Sequence, residues 1–150
     1  MTRFPAVFLT LFATACGSKA PCTQCPNVAG TYSETSPRQE TSCGNGDTLY
    51  WSGGDAVVVT VTQDGSALHL VREGRLTDTL EGVLYDDSSA EFGPFSRQLT
   101  SSDGSVAIGD VTLAGRFMPT GSPLFAGTWM LKMQGTGCAV TSKAKWSAAQ

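Results

Sequence analysis

Histidine is almost missing from this chain of 150 residues: His69 is the only one. A lone imidazole excludes a two-histidine metal triad and any histidine-rich zinc site. Catalytic signatures are missing as well. There is no G-x-S-x-G, no phosphate-binding loop and no dinucleotide fingerprint, and Gly44-Asn45-Gly46 reads as a turn. Basic clusters are also lacking. Lys and Arg number 10 against 13 Asp and Glu, for a formal net charge of −3. The one local positive bias, Lys132, Lys143 and Lys145, follows from alternation along strands. This balance argues against nucleic acid as a partner. Finally, no apolar stretch reaches the roughly 20 residues that a membrane-spanning helix needs.

The longest apolar stretch, Phe4 to Thr14, stands at the N-terminus behind Arg3 and ahead of the small residues Ala13, Thr14 and Ala15. A charged start, a short apolar stretch and a small-residue exit describe a signal peptide, residues 1–15, which takes no part in the fold. Cys16 follows directly, and Ala13-Thr14-Ala15-Cys16 resembles the lipobox of bacterial lipoproteins. That resemblance implies diacylglyceryl transfer to Cys16 and cleavage before it; the other reading is an ordinary secretory signal cut near Ala15 or Ala20. Each buried acyl CH₂ contributes about 0.8 kcal/mol, so two or more chains hold a protein stably on a membrane. Gly17, rather than aspartate, follows Cys16, which by the same resemblance implies the outer membrane. Cleavage removes Arg3 and leaves about 135 residues, a common size for one domain.

Four cysteines remain beyond Cys16: Cys22, Cys25, Cys43 and Cys138. An even number in an exported chain favours two disulfides, with three connectivities open. The expected pairing is Cys43 with Cys138, across the closing edges of the domain, and Cys22 with Cys25 as a local loop. Cys22-Thr23-Gln24-Cys25 also has the form of redox motifs and zinc knuckles. A redox site calls for a βα context, however, and here the motif falls in a Pro-flanked stretch read as a tether over 16–27. Zinc would need Cys43 and Cys138 as well. No cofactor or metal is expected.

From residue 28 to 150, glycines punctuate β-branched runs at short intervals, the pattern of many short strands joined by tight turns. Asp64-Gly65 predicts a type I′ hairpin within Ala56 to Glu73. Its expected register sets Val61 opposite Leu68, Val59 opposite Leu70 and Thr60 opposite His69. Val59, Val61, Leu68 and Leu70 then share a core face, and His69 lies on the wet side. In the last hairpin Phe125, Trp129, Leu131 and Met133 fall on one face. After Gly135-Thr136-Gly137, Val140, Ser142, Ala144 and Trp146 alternate with Thr141, Lys143 and Lys145. Further strands are expected at Gly30–Ser36, Thr48–Trp51, Leu80–Asp86, Ser89–Phe95, Ser105–Gly109 and Asp110–Pro119. Eight or nine strands with short connections predict an all-β fold, a small antiparallel up-and-down barrel, with a β-sandwich as the alternative. An apolar–x–Gly–x–apolar pattern recurs around Gly30, Gly82, Gly115 and Gly127; inward glycine lets a strand bend while bulky neighbours fill the space.

The chain resembles lipocalin-like β-barrel lipoproteins of Gram-negative bacteria. The resemblance rests on Val28-Ala29-Gly30-Thr31-Tyr32, Val59 to Gly65, Gly127-Thr128-Trp129 and Gly137-Cys138 through Trp146. These motifs encode architecture, with no chemistry attached. Candidate chemistry is thin: Asp86-Asp87 read as turn residues, with calcium conceivable at Asp86, Asp87 and Ser88 on ligand type alone, and Glu81 and Glu91 as outer-face neighbours. Trp129, Trp146, Phe117 and Phe125 are expected inside, either filling the barrel or lining a pocket for a small apolar ligand. Trp51, beside Tyr50, is the expected exposed aromatic for a partner contact. The functional expectation is a non-enzymatic binding or structural module on the envelope, anchored through lipid on Cys16. Its other forms are a carrier of a small apolar ligand and an inhibitor of an extracellular enzyme acting through the rigid loop Ser36–Gly54.

Overall fold

The structure, a computed structural model, describes residues 19–44, 46, 48–51, 54–74, 77–100 and 104–149. The expected signal peptide, residues 1–15, and Cys16 lie outside the described residues. Ten strands run in chain order: β1 (Gly30–Ser36), β2 (Gln39–Ser42), β3 (Thr48–Trp51), β4 (Gly54–Asp64), β5 (Ala67–Glu73), β6 (Thr77–Leu84), β7 (Ser89–Thr100), β8 (Val106–Phe117), β9 (Phe125–Met133) and β10 (Ala139–Ala148). Eight of them close an antiparallel barrel in the order β1-β10-β9-β8-β7-β6-β5-β4, and β4 returns to β1. This is an up-and-down barrel, and closure excludes the sandwich. The remaining pair, β2 and β3, forms a separate hairpin between β1 and β4, here called the flap.

Period-two patterning produces this architecture. Val140, Ser142, Ala144 and Trp146 of β10 point inward and are buried, while Thr141, Lys143 and Lys145 between them are exposed. Val59, Val61, Leu68 and Leu70 share the core face of β4 and β5. Their register differs from the expected one by two residues: Val61 faces Leu70, Val59 faces Arg72, and Thr62 faces His69. The turn residues are Gly65 and Ser66, and only Gly65 has positive φ, at 58°. Glycine in the first central position gives a type II′ turn in place of type I′. The stretch 105–119, expected as two strands, contains the single strand β8, Val106–Phe117. Gly109 does not break it, because that glycine is a packing residue: a Cβ there would lie 2.7 Å from Leu131 Cδ1.

The two barrel ends differ. At the tether end lie the β4–β5, β6–β7 and β8–β9 turns, and the expected tether is bound across them rather than running free. Cys22 N donates to Leu84 O at 2.9 Å, Val28 N to Gln63 Oε1 at 2.8 Å and Gln63 Nε2 to Pro26 O at 3.0 Å. Pro21 bridges to Tyr85, and Cys22 and Val28 are buried. At the flap end the long β7–β8 hairpin extends past the last β8–β9 pair, Gly109 with Met133.

Two disulfides close the chain as expected, Cys22–Cys25 at the tether end and Cys43–Cys138 at the flap end. The second bond fixes the flap to the β9–β10 turn. Trapping a loop of that length stabilises by about 4–5 kcal/mol in the chain-entropy model.

Candidate functional site

Large buried side chains pack against one another through the middle of the barrel, and Leu49, Leu99, Ala107 and Met133 line a small pocket at the flap-end mouth. In the tether half, Tyr32, Phe92, Phe117, Phe125 and Trp146 form one aromatic cluster, with Phe125 stacked on Trp146 at 4.1 Å between ring centroids. Two glycines of the recurring motif make the room. A Cβ on Gly115 would stand 2.4 Å from Phe125 Cζ, and one on Gly127 would stand 2.6 Å from its Cε1. Burial raises the Tyr32 phenol above its ordinary pKa, and its hydroxyl donates to Val28 O at 2.6 Å.

The flap half carries charge. Glu34 of β1 is fully buried, and both carboxylate oxygens are used. Oε1 accepts from Arg72 Nε at 2.9 Å; Oε2 accepts from Trp129 Nε1 at 2.9 Å and Trp146 Nε1 at 2.8 Å. The Arg72 guanidinium continues toward Asp78, whose Oδ2 lies 3.8 Å from Nη1, and Arg97 pairs with Asp78 from the barrel rim. Two buried carboxylates, Glu34 and Asp78, are thus balanced by buried Arg72 and by Arg97 at the rim. Such burial is tolerated only where every charge is paired and every polar atom is hydrogen-bonded. Among the described residues no buried side-chain polar atom lacks a partner.

The flap lies over this network. Trp51 of β3 stacks on Trp129 with 5.3 Å between centroids and 24° between planes, and the Arg72 guanidinium lies 5.7 Å from the centroid of each ring. Trp51 Nε1 reaches Ser36 Oγ at 3.5 Å, and Ser142 Oγ donates to Pro37 O at 2.7 Å where the flap begins. Trp51 is therefore only 4% exposed, which corrects its expected surface role. The β2–β3 hairpin turns it into the barrel, since alternate residues of a strand face opposite ways. Tyr50, its neighbour, faces out at 54% exposure, with Arg38 over its ring at 5.8 Å.

The structure buries Trp129, Trp146, Phe117 and Phe125. Other candidates are dispersed. His69 sits on the outer face opposite Thr62 and Glu81, in place of the expected Thr60, and its Nδ1 lies 2.7 Å from Glu81 Oε1. Glu91 pairs in register with Val83 and accepts from Tyr85 Oη at 3.2 Å, so Glu81 and Glu91 do not come together. The Tyr85 phenol is raised by burial and by the adjacent Glu91 carboxylate. Asp86 Oδ1 accepts from Thr23 N at 3.2 Å. Asp87 accepts from the Ser89 hydroxyl and amide and from Arg116 Nη2. The Ser89 bonds, hydroxyl first, lower its carboxyl to about 2. These carboxylates are committed to local structure, and no cluster of three metal-ligating side chains exists among the described residues.

Residue typing missed Glu34, Arg72, Asp78 and Arg97, although parity marks three of them. Glu34 shares its strand face with Tyr32, Arg72 with Leu68 and Leu70, and Asp78 with Leu80. A charge in phase with an apolar run was the available signal. No protein-family model, curated protein or solved structure matches this chain.

Proposed function

We propose that the chain is a non-enzymatic binding or structural module of the bacterial envelope, a lipocalin-like lipoprotein held on the outer membrane by acyl chains on Cys16. In this reading it meets a partner protein through the flap. The observation that carries the choice is the occupied interior. Trp129, Trp146, Phe92 and Phe125 are fully buried against one another and against a carboxylate whose hydrogen bonds are all made. This favours work on the outer surface over carriage of an apolar ligand or catalysis within the barrel. The flap suits a recognition role because the Cys43–Cys138 bond and the Trp51 stack pre-organise it, which lowers the ordering cost of binding. Tyr50 offers an exposed aromatic anchor on it.

The test uses the full chain expressed in a Gram-negative host. The N-terminal peptide is expected to carry acyl groups on Cys16, and Cys16→Ser is expected to abolish partitioning into detergent. The purified protein is expected to show no saturable uptake of a fluorescent fatty acid. A Cys16→Ser variant that still partitions like the parent refutes the anchor, and stoichiometric fatty-acid uptake refutes the filled-barrel reading.

A further inference from the structure

We infer that the tether end of the barrel rests directly on the bilayer surface and that the flap end is the face presented away from it; this rests on the proposed acylation of Cys16. A lipoprotein tether is ordinarily pictured as a free leash that lets the domain tumble. Here the leash is used up. Pro21 bridges to Tyr85, and Cys22 N is bonded to Leu84 O. Thr23 N is bonded to Asp86 Oδ1. Lys19 Nζ donates to Ser89 Oγ at 3.1 Å and lies over the Tyr85 ring. The Cys22–Cys25 disulfide stiffens the same stretch. Only Gly17 and Ser18 separate Cys16 from Lys19. Three residue steps span at most about 11 Å at 3.3–3.6 Å per residue, so the acylated residue cannot stand far from the tether end.

The composition of that end fits a headgroup layer. The loop joining β8 and β9, Met118-Pro119-Thr120-Gly121-Ser122-Pro123-Leu124, carries no charged residue. Of the acidic side chains at this end, Asp87 is matched by Arg116 and Asp86 accepts from Thr23 N, while Asp64 beside the β4–β5 turn is exposed to solvent. At the other end, Ile108 and Val106 of the extended β7–β8 hairpin are exposed, as is Tyr50 of the flap. Ile108 stands nine residues up β8 from Phe117, about 30 Å along the strand at roughly 3.3 Å per residue. The exposed apolar side chains of the flap end are thereby held out of reach of the membrane that anchors the protein.

Photo-crosslinking tests this in isolated envelope membranes. The full chain carries p-benzoylphenylalanine in place of Thr120 at the tether end or of Ile108 at the flap end, both exposed positions. Adducts are read by mass spectrometry together with the state of Cys16. The expected result is lipid adducts from position 120, at least tenfold fewer from position 108, and acylated Cys16. Acylated Cys16 with equal lipid adducts from both positions overturns the orientation and leaves the anchor standing. Unmodified Cys16 overturns the anchor and the orientation with it. Retention of both disulfides in each variant, seen in the same peptide map, confirms that the barrel has folded.

Discussion

Replacing Glu34 by glutamine keeps the shape of the side chain and removes its charge, and the geometry around it makes the consequence calculable. One carboxylate oxygen receives the two indole N–H groups of Trp129 and Trp146, and the other receives Arg72 Nε. An amide offers one acceptor oxygen and an NH₂ that can only donate. Whichever way it turns, its NH₂ meets an N–H donor, either the guanidinium or both indoles. Arg72 also loses its nearer counter-charge and keeps only Asp78, at 3.8 Å. Breaking a buried pair on one side costs about 3–5 kcal/mol, because the remaining charge stays uncompensated. A domain of this size loses roughly 3–5 °C of melting temperature per kcal/mol, so Glu34→Gln should fall by about 9–25 °C. Thermal unfolding followed by near-ultraviolet circular dichroism reads the shift. Glu91→Gln, a change at an exposed strand position, serves as control and should stay within about 0.5 kcal/mol of the parent. A Glu34→Gln melting point within 3 °C of the parent would refute the claim that this carboxylate organises the interior.

Other outcomes follow from single features. Replacing Cys43 and Cys138 together by serine should lower stability by about 4–5 kcal/mol in a denaturant titration, with Trp51 fluorescence shifting red as the flap loosens. Gly115→Ala places a methyl group 2.4 Å from the Phe125 ring and 2.5 Å from the Ala126 carbonyl. It should cost about 1–3 kcal/mol by overpacking, whereas Gly44→Ala, with nothing within 4 Å, should be close to neutral in the same titration. Asp87 has a folded-state pKa of about 2 against an ordinary 3.8. Its bonds therefore stabilise the fold above about pH 4, and that contribution fades as pH falls toward 2. Ser89→Ala should move the Asp87 midpoint upward, read by carboxyl carbon NMR.

Much of the architecture was legible because alternation is a strong signal. β1, β3 and β9 occupy the expected residues, and the expected pairs of cysteines are joined. The exact β4–β5 register was not legible, since a shift of two residues returns every side chain to the same face. Either alignment keeps Val59, Val61, Leu68 and Leu70 on the core face, so alternation alone does not choose between them. Strand β2, Gln-Glu-Thr-Ser, has no apolar face of its own and exists because β3 pairs with it. Trp51 was misplaced for a related reason: nothing local distinguishes an aromatic at the tip of a structure from one folded back over a barrel mouth. The charged interior was overlooked because residues were typed one at a time, as solvent-seeking, rather than by phase.

Glu34 also answers a question that the apolar residues leave open. A barrel of alternating strands has neighbouring solutions in which one strand slides by two residues, all apolar side chains still point inward, and the cylinder closes with a different shear. Sliding β1 in that way would carry Glu34 about 7 Å along the barrel wall at roughly 3.3 Å per residue. Both indoles and Arg72 would then be out of reach, leaving a carboxylate and a guanidinium stranded in a dry interior. The charge costs something in the correct barrel and far more in each near-miss. It acts as a keyway, through which four strands distant in sequence admit a single alignment.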